Sequence, residues 1–517
     1  MTLHWIDLTV LIGYLSLVAG MGYYFSKKNI STEEYFVGGR SFSGVIVGLS
    51  LVGTSISSVT FLSYPADAYK TTWIRFITTW SMPLGVLIAA YYFLPFFRRG
   101  QITSAYEYLE DRFGPSVRVY GGVTFIVAQL VRISLILYLV SLLMHEITGF
   151  SIVTSILISG IFVAFYTIIG GINAVIWTDV IQTIVLVLGG FLTLSVIINH
   201  LPGGLDQIFS VAITDGKLSL SEMTSSGFRS IGWGFSLTAK TGTMLFLVGL
   251  TSWLTEYSAN QNTVQRYAAA KSTLEARKAM LVCVVSSLPI WAFYMFIGTS
   301  LYVFFQEFPT IEATEMLSGV RKAEQVFPYF ILNFLPPGLT GLVIAAALAA
   351  AMSSLDSSIN AISTVGIVDI YRRHIKPGEN DKHYLQMAWM IAGGAALFMM
   401  GGAFILNASK TKTLQDTVTI LSSITGGGLL GLYLLGFFTK KGNAKSVWIG
   451  LILTTLFTIW TILAKRGMVP DWMNVPFDLY YTGLIGNIIM FSVAFMVAVF
   501  LMDQKKNLKN LTIWDMD

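Results

Sequence analysis

Four residues in the run AAAMSSLDSSIN, namely Ala350, Ser353, Ser354 and Ser357, recur at i, i+3, i+4 and i+7. On a helix that spacing gathers a backbone carbonyl and three hydroxyls on one face. Such oxygen ligands suit a hard cation of the sodium kind. A partner for this face lies far upstream, in SLVGTSISSVTFLSYP. There Gly53, Thr54, Ser55, Ser57, Ser58 and Thr60 crowd the middle of an apolar stretch. Non-helical backbone is tolerated at membrane depth only where it lines a cavity or a site. Bare carbonyls in such a break suit the cation, and exposed amides suit an anionic or hydroxyl-rich solute. Taken singly, each small residue suits close helix packing equally well.

Three ionisable residues fall deep in apolar segments, where a charge needs a reason. Asp179, in VIWTDVIQT, suits a second cation ligand or a local cap. Asp356 adjoins the serine face and suits a second carboxylate ligand, or a solvated charge at the cytoplasmic end of its span. Arg132, in QLVRISLILYL, suits a bidentate donor to a carboxylate solute or a tie to backbone carbonyls. The one cysteine, Cys283, sits in an apolar run and reads as a small buried hydrophobe. No Cys/His spacing suggests a metal. The five histidines lie at span ends or in loops, with no Ser-His-Asp set and no nucleotide loop. An enzyme is not expected.

The elements that hold these residues are membrane spans. Of the 517 residues, 54% are hydrophobic and only 12% are charged, where a soluble domain carries about 25% charged residues. The apolar blocks are long enough to cross a bilayer. We expect an all-α membrane protein with thirteen spans. A leading helix covers roughly 5–25. Ten core spans lie near 42–66, 73–97, 116–145, 151–169, 174–199, 232–258, 277–305, 328–354, 385–406 and 415–437. Two more follow near 445–464 and 478–502. The stretch 103–113 reads as an amphipathic interfacial helix. The N-terminal MTLHWID has no basic stretch or cleavage site, so the first helix is read as retained.

Lysines and arginines of alternate loops divide 21 to 11, which places the richer side in the cytoplasm. The N-terminus is then outside and the C-terminus inside a plasma (inner) membrane. The net charge of +5 is spread between spans and forms no nucleic-acid patch. Interruptions in the first and sixth core spans, five spans apart, point to an inverted repeat. The implied division is an extra helix at 1–30, one repeat at 42–200, a second at 229–437, and two helices with a tail at 444–517. A channel would need a repeated filter loop, which is not seen. A membrane-embedded sensor would need a signalling domain, and the chain ends soon after its last span. A monomer is the expected working unit.

The runs GGINAVIWTDVIQT (170–183), NQNTVQRY (260–267) and AAAMSSLDSSIN (349–360) resemble the sodium/solute symporter family over nearly the whole chain. Within it, TSISSVTFLSYPADAY, PFFRRGQITSAYEYLEDRF and the arginine of the third core span are similar to the bacterial sialic acid symporters. The resemblance implies a leucine-transporter-like core of five plus five helices that works by alternating access, with Na+ as the coupling ion. It implies a main sodium site at Gly53, Ile56, Ala350, Ser353 and Ser354, with Gly53 and Ile56 acting through carbonyls. It implies a second sodium site at Asp179, Ser353, Asp356 and Ser357, and solute contacts at Ser55, Ser57, Thr60 and Arg132. Two departures stand out. Asp356 replaces a hydroxyl residue, where it could strengthen a second sodium or take a proton. Arg75 and Thr79 stand where the sialic acid symporters carry an aromatic and a glutamine beside the solute. Sialic acid is the expected solute, with neutral sugars and monocarboxylates as the alternatives.

Overall fold

A helix that breaks in mid-membrane must find partners for the amides and carbonyls it frees, and the fold is arranged around two such breaks. The computed structural model describes residues 3–100, 102–224, 227–408, 428–501 and 508–515. The first core helix is split into Gly44–Ser55 and Ser58–Lys70. The break falls at Ile56, which is extended (φ −97°, ψ 96°). The axes of Gly44–Ser55 and Thr60–Lys70 differ by 56°. The sixth core helix is split in the same way, into Gly242–Ala259 and Gln261–Ala269, across an extended Asn260. Glu256 bridges that break: its two oxygens accept from Asn260 Nδ2 and Thr263 Oγ1, both at 2.7 Å.

The helix Ile152–His200 has 49 residues, about 74 Å at 1.5 Å per residue and more than twice the ~30 Å hydrocarbon core. It is therefore two spans, the fourth and fifth. Gly171 divides them with φ 54° and ψ −163°, a conformation that disfavours any side chain. A Cβ there would also lie 2.7 Å from the Tyr35 ring. The N-terminal helix Trp5–Ser26, the second core helix Ile74–Arg98 and the third, Pro115–Thr148, are close to their expected bounds. So are the seventh, Thr273–Glu307, the ninth, Asp381–Ala408, and the C-terminal helices Ala444–Lys465 and Thr482–Leu501. Of the expected tenth core span, 415–427 lies outside the described residues, as do Lys410, Lys412, Lys505 and Lys506 of the charge count. Leu429–Phe438 is helical.

The eighth core helix departs from expectation. A separate short helix, Val326–Phe334, comes first, and the span itself runs Leu339–Val365. Every residue from 343 to 365 is buried. A helix enclosed by protein on all sides need not stay apolar to remain in the membrane, so hydropathy ended it too early, at the serines. Asp356 consequently lies within the helix, not at its end. Of the stretch 103–113, Glu107–Phe113 is helical; it buries Tyr108, Leu109, Arg112 and Phe113 and leaves Asp111 exposed. Its Arg112 donates to the carbonyls of Gly436, Thr439, Lys441 and Gly442.

Two ties bear on the moving parts. Asp7 of the N-terminal helix accepts from the amides of Gly338 (2.6 Å) and Gly341 (2.8 Å), capping the eighth core helix. At the other end, Lys217 Nζ donates to the carbonyls of Tyr69 (2.7 Å) and Thr71 (3.1 Å), at the C-terminal end of the broken first helix.

Candidate cation and solute site

The Gly44–Ser55 half of the first core helix ends at the break, and the eighth helix lays its serine face against that end. Ser353 Oγ donates to the Gly53 carbonyl at 2.6 Å. Thr54 Oγ1 and Ser357 Oγ lie 3.3 Å apart. Ala350, Ser353, Ser354 and Ile56 are all buried. Ser354 Oγ is buried with no hydrogen-bond partner, which is unfavourable for a hydroxyl unless a ligand completes it. Gly53 itself allows the close approach of the fifth core helix. A Cβ there would lie 2.9 Å from Thr183 Oγ1 and 3.1 Å from the Asp179 carbonyl. The residues that spacing alone put on one helix face thus meet the break.

One turn along, a second polar cluster is centred on Arg266, of the Gln261–Ala269 half of the sixth core helix. This side chain is 1% exposed. Its Nη2 donates to Asp179 Oδ2 (2.7 Å) and Ser357 Oγ (2.6 Å), its Nε to Ser50 Oγ (2.8 Å) and its Nη1 to the Asn262 carbonyl (2.7 Å). Ser50 Oγ also donates to Asp179 Oδ2 at 2.5 Å. Asp179 Oδ1 is buried, with no hydrogen bond of ordinary geometry among the described residues. Asp356 turns towards the fourth and fifth core helices. Its Oδ2 accepts from Tyr166 Oη (2.8 Å) and Thr178 Oγ1 (3.5 Å), and its Oδ1 from the Ser357 amide (2.6 Å). No ion pair to Asp356 is found among the described residues.

Sequence reasoning counts Arg266 as a cytoplasmic loop charge and so misses it, together with Ser50, Tyr166 and Thr178. A usable signal was present: NQNTVQRY follows a polar break directly, and all of Gln261–Ala269 is buried. An arginine in a buried segment has to be paired.

Among the expected solute contacts, Ser57 sits half-buried in the hinge and Thr60 is buried just beyond it. Ser55 is half-buried at the last turn of Gly44–Ser55, beside Cys283. Arg132 is half-buried and makes no hydrogen bond or ion pair among the described residues. Gln129, one turn before it, accepts from Ser358 Oγ at 3.0 Å. The third and eighth helices cross the membrane in opposite senses, so three residues beyond Gln129, about 4.5 Å of rise, brings Arg132 to the level of Ser354. Arg75 pairs with Asp67 at 2.6 Å. Thr79 is buried, and its hydroxyl donates to the Phe76 carbonyl at 2.7 Å.

Residues 35–454 match the model of the sodium:solute symporter family. The chain is 33% identical to the sodium/sialic acid symporter SiaT of Proteus mirabilis, over 94% of both proteins. It is 31% identical to sodium-coupled monocarboxylate transporter 1 of Mus musculus, over 88% of this chain and 72% of that one. A solved structure of a Na+-coupled sialic acid symporter, substrate-bound and outward-open, superposes with a TM-score of 0.85 at 30% identity. That match covers 97% of this chain and 99% of the other. A closed structure of the nucleobase-cation symporter Mhp1 shares the fold, with a TM-score of 0.56 at 14% identity. With its two broken helices and serine-lined eighth helix, this chain belongs to the sodium:solute symporter family, and sodium is its coupling ion.

Proposed function

We propose that the protein imports sialic acid, a carboxylated sugar, together with sodium by alternating access. The observation that carries this reading is Arg132: a guanidinium within the membrane, level with the hinge and with no hydrogen bond or ion pair among the described residues. A charge left so is costly, and a solute carboxylate would satisfy it in bidentate fashion. The broken first helix complements it. Amides at the start of its outer half face an anion, and carbonyls at the end of its inner half face a cation.

In this reading the main sodium is held by the carbonyls of Gly53, Ile56 and Ala350 and the hydroxyls of Ser353 and Ser354. It ties the hinge to the eighth helix and so shapes the solute pocket formed by Ser55, Ser57, Thr60 and Arg132. Each ligand then tightens the other by the same free energy. A second sodium sits at Asp179, Ser353, Asp356 and Ser357. Two buried carboxylates against the one guanidinium of Arg266 leave a negative charge that such an ion would balance. The repeats span 42–200 and 229–437 and rock against each other. The N-terminus is outside, the C-terminus is cytoplasmic, and the monomer is the working unit.

A monocarboxylate solute is the second reading, favoured by the same Arg132 and by the relative in Mus musculus. Uptake into proteoliposomes under an imposed sodium gradient separates them, comparing sialic acid, lactate, glucose, galactose and myo-inositol. Sialic acid is expected to saturate uptake at the lowest concentration. Preference for a neutral sugar, unaffected by Arg132→Gln, would remove the carboxylate reading altogether.

A further inference from the structure

The outer half of the first core helix carries a stripe that leads from the hinge to the outer mouth. Ser57, Thr60, Tyr64 and Asp67 recur at i, i+3, i+7 and i+10, the spacing of one helical face. The seventh core helix packs beside this stripe, with Gly298 against the Pro65 backbone and Trp291 against Tyr64. At the outer end of the stripe Asp67 Oδ2 accepts from Arg75 Nη1 at 2.6 Å, and the two side chains are 36% and 37% exposed. The guanidinium lies over the Tyr64 ring, 5.4 Å from its centroid. Tyr64 in turn stacks on Trp291. Arg75 uses only Nη1; its Nε and Nη2 make no hydrogen bond among the described residues. A planar fork built for two parallel bonds to a carboxylate therefore keeps an edge open.

We infer that Arg75 is an outer seat for the solute's carboxylate and that Asp67 is the placeholder it displaces. The inference rests on the carboxylated-solute reading above. A partly exposed ion pair made through one bond contributes little, so exchanging one carboxylate for another is nearly balanced. The solute then moves inward along Tyr64, Thr60 and Ser57 towards Arg132. A neutral sugar gains nothing at this seat, so Arg75 selects for acids before the deeper pocket is reached.

The test is uptake of sialic acid into proteoliposomes, with lactate as a second probe, reading KM and kcat separately. Arg75→Gln is expected to raise KM about tenfold, the loss of one charge-assisted contact, with kcat retained. Asp67→Asn removes the competing carboxylate and is expected to lower KM. Both variants lose the same ion pair, so a merely structural pair would move KM in one direction for both, and that result overturns the proposal. An unchanged KM in Arg75→Gln also overturns it. Arg132→Gln separates the two levels. If it weakens uptake while Arg75→Gln does not, only the outer seat is lost. If neither matters for any acid, the carboxylate reading is lost as well.

Discussion

A buried hydroxyl without a partner destabilises the state that contains it, and Ser354 Oγ is one. In the proposed cycle sodium is what satisfies it. Ser354→Ala should therefore raise the sodium concentration for half-maximal uptake about tenfold, the value of one polar contact to a charge. The dependence on solute at saturating sodium should change little. Uptake by Ser354→Ala with wild-type sodium dependence would show that this hydroxyl is no ligand. That Ala350, Ser353, Ser354 and Ser357 share a face was legible in sequence, because helical spacing fixes which side chains share a face; their pairing with Gly53 was implied only by the family resemblance. Arg266 was not, because its partners Ser50, Asp179 and Ser357 come from three other helices. Pattern along one segment carries no information about such a meeting. The back-bonding of Thr79 to Phe76 is similarly invisible, since it depends on a rotamer.

Among the elements, the spans facing lipid were legible and those facing protein were not. Hydropathy measures compatibility with lipid, so it bounded the third and seventh core helices well. It failed for the eighth, whose buried polar run makes its contacts inside the protein. The short segment Gln261–Ala269 was legible as a polar interruption at the end of the sixth core span, but its arginine was counted with a loop for the same reason. The N-terminal helix was legible as a span, but its task was not. It places Asp7 under the amides of Gly338 and Gly341, where a carboxylate both accepts hydrogen bonds and meets the positive helix end. Asp7→Ala should destabilise the eighth helix by about 1–2 kcal/mol, seen as a lower melting temperature in detergent. Asp7→Asn, which still accepts hydrogen bonds, should recover most of that loss. Equal melting of Asp7→Ala and wild type would mean that the cap contributes nothing.

For the whole molecule the decisive quantity is the charge carried per cycle. Asp179, Asp356 and Arg266 are all buried, and with both carboxylates ionised they sum to one negative charge. A second sodium there, added to the main one and set against a monoanionic solute, moves one net positive charge inward. An inside-negative potential of about 100 mV then adds about 2.3 kcal/mol to accumulation, close to fiftyfold at equilibrium. Accumulation in proteoliposomes clamped by a potassium gradient and valinomycin should follow the potential with that slope. Asp356→Asn removes the surplus negative charge and with it the hold on the second sodium. That variant should take up one sodium per solute, counted with radioactive sodium, and its accumulation should no longer follow the potential. Wild-type uptake of an acid that ignores the potential means that a single sodium is carried. The negative charge at Asp356 would then have to be balanced within the protein at every step of the cycle.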